Sequence, residues 1–358
     1  MVRLYHTLRK FYLFPLRHKA LIVWAGILLA FLAWLAPLFQ FIPQALILGR
    51  GFLDGSVGSL RSSNDRTNFL ILGLGGHKND PAGMTDTQLL VSYDHANARH
   101  LMLSIPRDIW IPEINGKINS AYSYGNNSEG SGIDLTNSFM SQITGQPVHY
   151  SVVISFDGFV KVIDLLGGVD VGVDRSFTDP KYPVSGREND LCDGDAETKC
   201  RWETLYFEQG KHHFNGTEAL KFVRSRHAQG EEGTDFARAV RQQKVVLAVK
   251  EKLQSPFLWA NPWKINQLLT MLGDVVETDI PQKDLGILAR LFIFLNRQNV
   301  KSEILSVPES APSLLFHPPV SPKYSDEWVL IPEGGNWDKV HLWVSCLLAQ
   351  ATCSISTN

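Results

Sequence analysis

From Ala20 to Phe39 the chain reads ALIVWAGILLAFLAWLAPLF, twenty consecutive residues without a charge. At about 1.5 Å per residue a helix of that length covers roughly 30 Å, the thickness of a bilayer's hydrocarbon core. The first nineteen residues hold Arg3, Arg9, Lys10, Arg17 and Lys19 and no acid. The positive-inside rule therefore keeps residues 1–19 cytoplasmic, makes 20–39 a single transmembrane helix and places the rest outside. A cleaved signal peptide is the rival reading, but its apolar region is usually shorter and no A-x-A-like site closes this one cleanly. A buried helix of a soluble core rarely runs so long without a polar face.

Cysteine usage agrees with an extracytoplasmic domain. Cys192 and Cys200 form one close pair in sequence, Cys346 and Cys353 another, and neither has the C-x-x-C spacing of a zinc or thioredoxin-type site. An even count outside the cytoplasm suggests two local disulfides, each worth about 2.5 kcal/mol in the chain-entropy account. Four unrelated thiols are the alternative. The formal net charge of −2 argues against a nucleic-acid binder, whose domain would be clearly basic.

Residues 40–68 end in a Gly-, Ser- and charge-rich stretch that reads as a stalk. From Phe69 short apolar runs alternate with helical periodicity. FLILGLG, TQLLVSYD, HLMLSIP, VHYSVVISF, VDVGV, ALKFVRSRH, EILSV and WVLIP read as strands; FDGFVKVIDLL and DFARAVRQQKVVLAVKEKL read as helices. More helices are expected near 262–276, 283–296 and from Trp337, and a long polar insertion near 175–210. No linker interrupts this interleaving. It predicts one α/β domain over 69–358, a central mixed β-sheet with helices on both faces (an αβα sandwich), preceded by the transmembrane helix.

G-x-S-x-G, H-E-x-x-H, the phosphate loop and G-x-G-x-x-G are all absent. The chemistry lies in a pattern of arginines that core packing does not need. Arg107 and Asp108 follow an apolar strand at Pro106. Arg224 and Arg226, two apart on an expected strand, share a face. On the next helix Arg238, Arg241 and Gln242 are i, i+3 and i+4, with Asp235 at its start. Five converging guanidinium groups call for an anion, and their planar forks suit a pyrophosphate. The bland reading pairs Arg238 and Arg241 with Glu231 and Glu232 on a solvated surface. Asp86, just before a strand, is placed to share Mg²⁺ or another divalent cation with substrate phosphates.

Taken in order, LILGLG, MTDTQLLVS, LMLSIPRDIWIP, GKINSAY, FDGFVKVIDLLGGVDV, HHFNGTEALKFVRSRH and TDFARAVRQQKVV resemble the LytR-CpsA-Psr family of bacterial cell-wall enzymes. The resemblance implies a phosphotransferase that moves a glycopolymer from a polyprenyl-pyrophosphate carrier to peptidoglycan, with an apolar pocket for the lipid tail. It implies a single-pass protein of the bacterial cell membrane, facing a lipid bilayer, a polyprenyl-pyrophosphate-linked glycan and a peptidoglycan acceptor. Residue by residue, Asp86 matches a metal-binding aspartate. Arg107, Arg224, Arg226, Arg238 and Gln242 match pyrophosphate-binding or catalytic positions, and Asp235 lies close to them. Two positions depart from the family pattern: Gly75 stands where an aspartate is usual, and Met84 where an arginine is common. Asp80 is a possible substitute for the missing carboxylate. A polyprenyl-pyrophosphate-binding regulator, or a pyrophosphatase that uses water, is the alternative function.

Overall fold

The computed structural model of the chain describes residues 49–349 and 353, except 54, 76–82, 129, 188, 260, 295–299 and 306–312. The expected cytoplasmic segment 1–19, the expected membrane helix 20–39 and Asp80 lie outside the described residues. Among the described residues no helix is long and apolar enough to cross a membrane. The chain divides into a small unit, Met1–Gly55 with Gln282–Leu288, and a large one, Ser56–Pro281 with Ala289–Asn358. The described residues of the small unit are helical at 49–53 and again from Gln282.

The strands of three or more residues in the large unit are, in chain order, β1 (Arg66–Leu74), β2 (Thr85–Asp94), β3 (Arg99–Ser104), β4 (Tyr150–Ser155) and β5 (Val169–Val173). They continue with β6 (Phe177–Pro183), β7 (Trp202–Phe207), β8 (Gly210–Phe214), β9 (Val276–Thr278) and β10 (Val300–Ile304). Six of them form a mixed sheet in the order β9-β4-β1-β2-β3-β10. The pairs β1–β4 and β3–β10 are parallel, and the other three are antiparallel.

The helices are α1 (Ala121–Asn127), α2 (Gly132–Thr144), α3 (Phe156–Leu166), α4 (Gly216–Arg224), α5 (Asp235–Leu253), α6 (Pro256–Trp259), α7 (Pro262–Val275), α8 (Gln282–Phe294) and α9 (Asp338–Ala349). Strand alternation sends Leu70, Leu72, Leu90, Leu103 and Val153 to one face of the sheet. There they are buried with Tyr122, Phe139, Met140 and Val344 from α1, α2 and α9. Helices α3, α5 and α7 reach the sheet through β4, β10 and β9. On the opposite face Phe69, Ile71, Val91, Val152 and Ile154 are half-buried, while Leu89 and Met102 are buried. A second core joins α3, α4 and α5 to β5–β8 around Phe177, Phe207, Phe214 and Phe222.

Three expectations are corrected. Residues 219–227, expected as a strand, instead hold the later part of helix α4 (Gly216–Arg224) and the turn that ends it. Asn215 and Glu218 make a reciprocal capping box, and Ala219, Phe222 and Val223 fall on one buried helical face. A side chain at Gly216 would collide with the Val160 carbonyl, so this helix needs glycine to approach α3. Residues 56–68, expected as stalk, belong to the large unit: Leu60 is buried, and the Arg61 backbone N–H donates to the Tyr150 hydroxyl at 2.8 Å. The polar insertion is a β6–β7 hairpin extended by a loop in which Cys192 faces Cys200, their Cα atoms 5.5 Å apart. Cys346 and Cys353 are paired likewise, with Cα atoms 5.8 Å apart.

Candidate active site

Two cavities open at strand ends of the sheet, the first beside Phe156, just after β4, and the second beside Ser104 and Ile304, the last residues of β3 and β10; Asp86, Arg238 and Gln242 line both. The first, about 260 Å³, adds Thr87, Phe156, Arg224 and Arg226. The second, about 420 Å³, adds Arg107, Asp108 and Asp235. The residues singled out in the sequence therefore meet at one place, with one exception.

Arg241 is that exception. Successive helical residues turn by about 100°, so Gln242 faces the cavities while Arg241 faces α4. Its Nε donates to the Phe222 carbonyl at 3.0 Å and its Nη2 to the Ser225 carbonyl at 2.7 Å. Its Nη1 donates to the carbonyl and the carboxylate of Glu232, at 3.0 and 2.9 Å. Arg241 thus satisfies the end of α4, whose last carbonyls have no intrahelical partner. It is not placed to bind a substrate anion. The pairing with Glu232 is the bland alternative realised, although at a buried position and not on a solvated surface.

Arg224 and Arg226 are displayed by the turn that ends α4. Ser225 leaves helical geometry, and Asp179, fully buried on β6, collects that turn. Its Oδ2 accepts from the Ser225 hydroxyl at 2.7 Å and from the backbone N–H groups of Arg226 and His227 at 3.0 and 3.2 Å. Burial alone would raise its pKa, but these hydrogen bonds hold the carboxyl below the usual range. Nothing in the sequence marked Asp179, 46 residues from Ser225. Arg224 lies 4.4 Å over the Phe156 ring and beside Tyr182. Neither Arg224 nor Arg226 has a carboxylate partner among the described residues.

The other two cations are partly neutralised. Arg107 Nη1 is 2.5 Å from Asp86 Oδ1, and its Nε is 3.4 Å from Asp108. Burial works against its charge, but Asp86 and Asp108 more than offset this and raise its pKa. Arg238, 8% exposed, is 3.2 Å from Asp235. Burial lowers its pKa; Asp235 opposes this, and the charges of Arg107 and Arg226 add to it. With two guanidinium groups paired and desolvated and two unpaired, the site keeps unspent positive charge.

Metal donors are fewer. Asp86 is half-buried, and no second carboxylate stands at Gly75, where a Cβ would come 2.8 Å from Asp86 Oδ2. Among the described residues the one cluster of three ligand-type side chains is Asp190, Cys192 and Cys200, whose sulfurs are paired with each other. Asp86 suits Mg²⁺ only as one ligand beside phosphate oxygens brought by a substrate.

The sequence profile of the LytR_cpsA_psr family matches residues 53–314. The chain belongs to this family. Among its relatives, the polyisoprenyl-teichoic acid–peptidoglycan teichoic acid transferase TagV of Bacillus subtilis is 34% identical over 204 residues, 55% of this chain and 45% of TagV. The transferase TagU of Oceanobacillus iheyensis is 29% identical over 228 residues, 63% of this chain and 62% of TagU. The chain thus spans about half to three-fifths of these curated relatives. The crystal structure of B. subtilis TagV aligns with a TM-score of 0.56 at 23% identity, over 82% of this chain and all of that one. A structure of TagT bound to LIIa-WTA aligns at 0.52 and 23%, over 82% of this chain and 96% of that one. The LytR-CpsA-Psr fold is shared, including its central mixed sheet.

Proposed function

We propose that this family member is a phosphotransferase that moves a glycopolymer from a polyprenyl-pyrophosphate carrier to peptidoglycan. The observation that carries the reading is the unneutralised pair Arg224 and Arg226 beside the buried Arg238. Such a site favours a multiply charged anion, and phosphate oxygens match the guanidinium fork. The half-buried apolar face formed by Phe69, Ile71, Val91, Val152 and Ile154 suits a polyprenyl tail. The names of the TagV and TagU relatives, which join a polyisoprenyl-linked teichoic acid to peptidoglycan, point the same way.

In this reading Arg224, Arg226, Arg238 and Gln242 hold the pyrophosphate and Arg107 keeps Asp86 in place. A hydroxyl oxygen of the acceptor attacks the phosphorus that carries the glycan. The bond from that phosphorus to the bridging oxygen breaks, and polyprenyl phosphate leaves with the bonding pair. Asp235 takes the hydroxyl proton, and the product is a phosphodiester. Charge neutralisation by fixed donors supplies most of the rate in transfers of this kind. A Mg²⁺ held by Asp86 and substrate oxygens would add positive charge to the same leaving group.

The location is proposed with the function. Residues 20–39 anchor the chain in the bacterial cell membrane, with 1–19 cytoplasmic and the large domain outside, where the Cys192–Cys200 and Cys346–Cys353 disulfides form. A second reading, a pyrophosphatase or a lipid-binding regulator, is favoured by one feature, the glycine at position 75. Incubating the membrane-embedded chain with a lipid-linked glycan, with and without peptidoglycan, separates them. Transfer predicts glycan covalently attached to peptidoglycan. Equal glycan release with water alone would indicate a pyrophosphatase, and no turnover in either case a regulator.

A further inference from the structure

Gln88 lies on β2 and is 2% exposed, yet its Oε1 has no hydrogen-bond partner. The amide orientation is fixed, because Nε2 donates to the Thr85 hydroxyl at 2.9 Å and faces the Thr85 carbonyl at 3.4 Å, which can only accept. A buried acceptor without a donor is costly unless something else supplies one. Gln88 lines the second cavity, and so do two aromatic side chains that a core would normally hide. Phe236 is 56% exposed and Trp328 46% exposed, although Trp328 is held in place by stacking on His317 at 4.9 Å.

We propose that the second cavity is the acceptor subsite, binding a sugar whose hydroxyl donates to Gln88 Oε1 and whose ring lies against Trp328 and Phe236. This rests on the transferase reading above and adds where the acceptor sits. In-line transfer needs the nucleophile and the leaving group on opposite sides of the phosphorus. The unpaired cations suited to a leaving phosphate, Arg224 and Arg226, line only the first cavity. The carboxylate suited to a hydroxyl proton, Asp235, lines only the second. Arg238 and Gln242 lie between, where the reacting phosphorus belongs. A pyranose presents hydroxyls at its edge and C–H groups on its faces, which matches one buried acceptor beside aromatic rings.

The test is calorimetric titration of the full chain in detergent with two probes, a soluble muropeptide disaccharide and farnesyl diphosphate. Gln88→Met keeps the volume and removes the orphan oxygen, so its Tm should be unchanged or higher. It should weaken muropeptide binding by about 3- to 10-fold, the worth of one neutral hydrogen bond, and retain farnesyl diphosphate binding. Trp328→Ala, at an exposed position, should weaken the muropeptide at least as much with the same selectivity. Unchanged muropeptide binding in both variants, loss of both probes together, or no measurable muropeptide binding by the wild type would overturn the proposal. If the wild type binds no farnesyl diphosphate, the transferase reading fails, while the muropeptide arm still decides the subsite.

Discussion

Asp179 accepts the backbone N–H of Arg226 at 3.0 Å, so a carboxylate buried on β6 sets the direction in which the site's exposed cation leaves the chain. Removing that charge should loosen the turn before it affects the anion itself. Asp179→Asn keeps the shape but turns an N–H toward donors that need an acceptor. We expect a loss of about 2–4 kcal/mol in stability, from hydrogen bonds to a charged group worth about 1.5–3 kcal/mol each. A roughly tenfold fall in turnover should accompany it as Arg224 and Arg226 lose their fixed positions. Chemical denaturation and turnover on the same variant check both halves.

Arg241 and Arg238, three residues apart on α5, should behave in opposite ways. Arg241→Ala leaves Glu232 and two carbonyls without their donor in a buried setting, which costs about 3–5 kcal/mol. Its signature is a lower Tm, with donor affinity retained in the fraction that stays folded. A variant with unchanged Tm and lost donor binding would return Arg241 to the site.

His100 supplies a pH dependence. It is 4% exposed on β3, and burial, reinforced by the charges of Lys250 and Arg66, lowers its pKa to about 4. The ordinary value is 6.5, so between those limits the unfolded chain binds the proton and the folded chain does not. Its contribution is complete above about pH 6.5 and is lost as pH falls through 6.5 toward 4, by at most about 3 kcal/mol. Unfolding free energies measured from pH 7.5 to 4 should fall more steeply for the wild type than for His100→Gln.

The sequence made the main elements readable because their periods are clean. Leu70, Leu72 and Leu90 alternate as strand residues do, and the family motifs singled out Arg107, Arg238 and Gln242, which line the cavities. Local patterns failed where the answer lay far away in the chain. FVRSRH looks like a strand until the capping box at Asn215 starts a helix through it. Arg241 shares α5 with Arg238, and only the position of α4 shows that it turns the other way. Asp179 and Gln88 belong to ordinary strand segments; their roles come from a turn 46 residues away and from a cavity.

The metal account turns on Asp86 and Gly75. If Mg²⁺ is bound by one carboxylate and substrate phosphates, calorimetry should detect it only when a lipid diphosphate is present. Asp86→Asn should then lower Mg²⁺-dependent turnover more than it lowers donor affinity. Gly75→Asp should strengthen metal binding if Asp86 can move, since the new Cβ would lie 2.8 Å from its Oδ2. Turnover that ignores both chelator and Asp86→Asn would leave Asp86 as a partner of Arg107 alone.

The most direct test is the affinity of a short-chain polyprenyl diphosphate for wild type, Arg238→Ala, Arg238→Lys and Gln242→Ala, with thermal unfolding of each. A charge-assisted hydrogen bond in a partly dry site is worth about 1.5–3 kcal/mol, so Arg238→Ala should weaken binding by about 10- to 150-fold. Arg238→Lys should recover part of this, because an ammonium cannot reproduce the fork, and Gln242→Ala should cost less than Arg238→Ala. Tm should change little across the series. Full affinity in Arg238→Ala together with a lowered Tm would make α5 a structural helix and contradict the anion site.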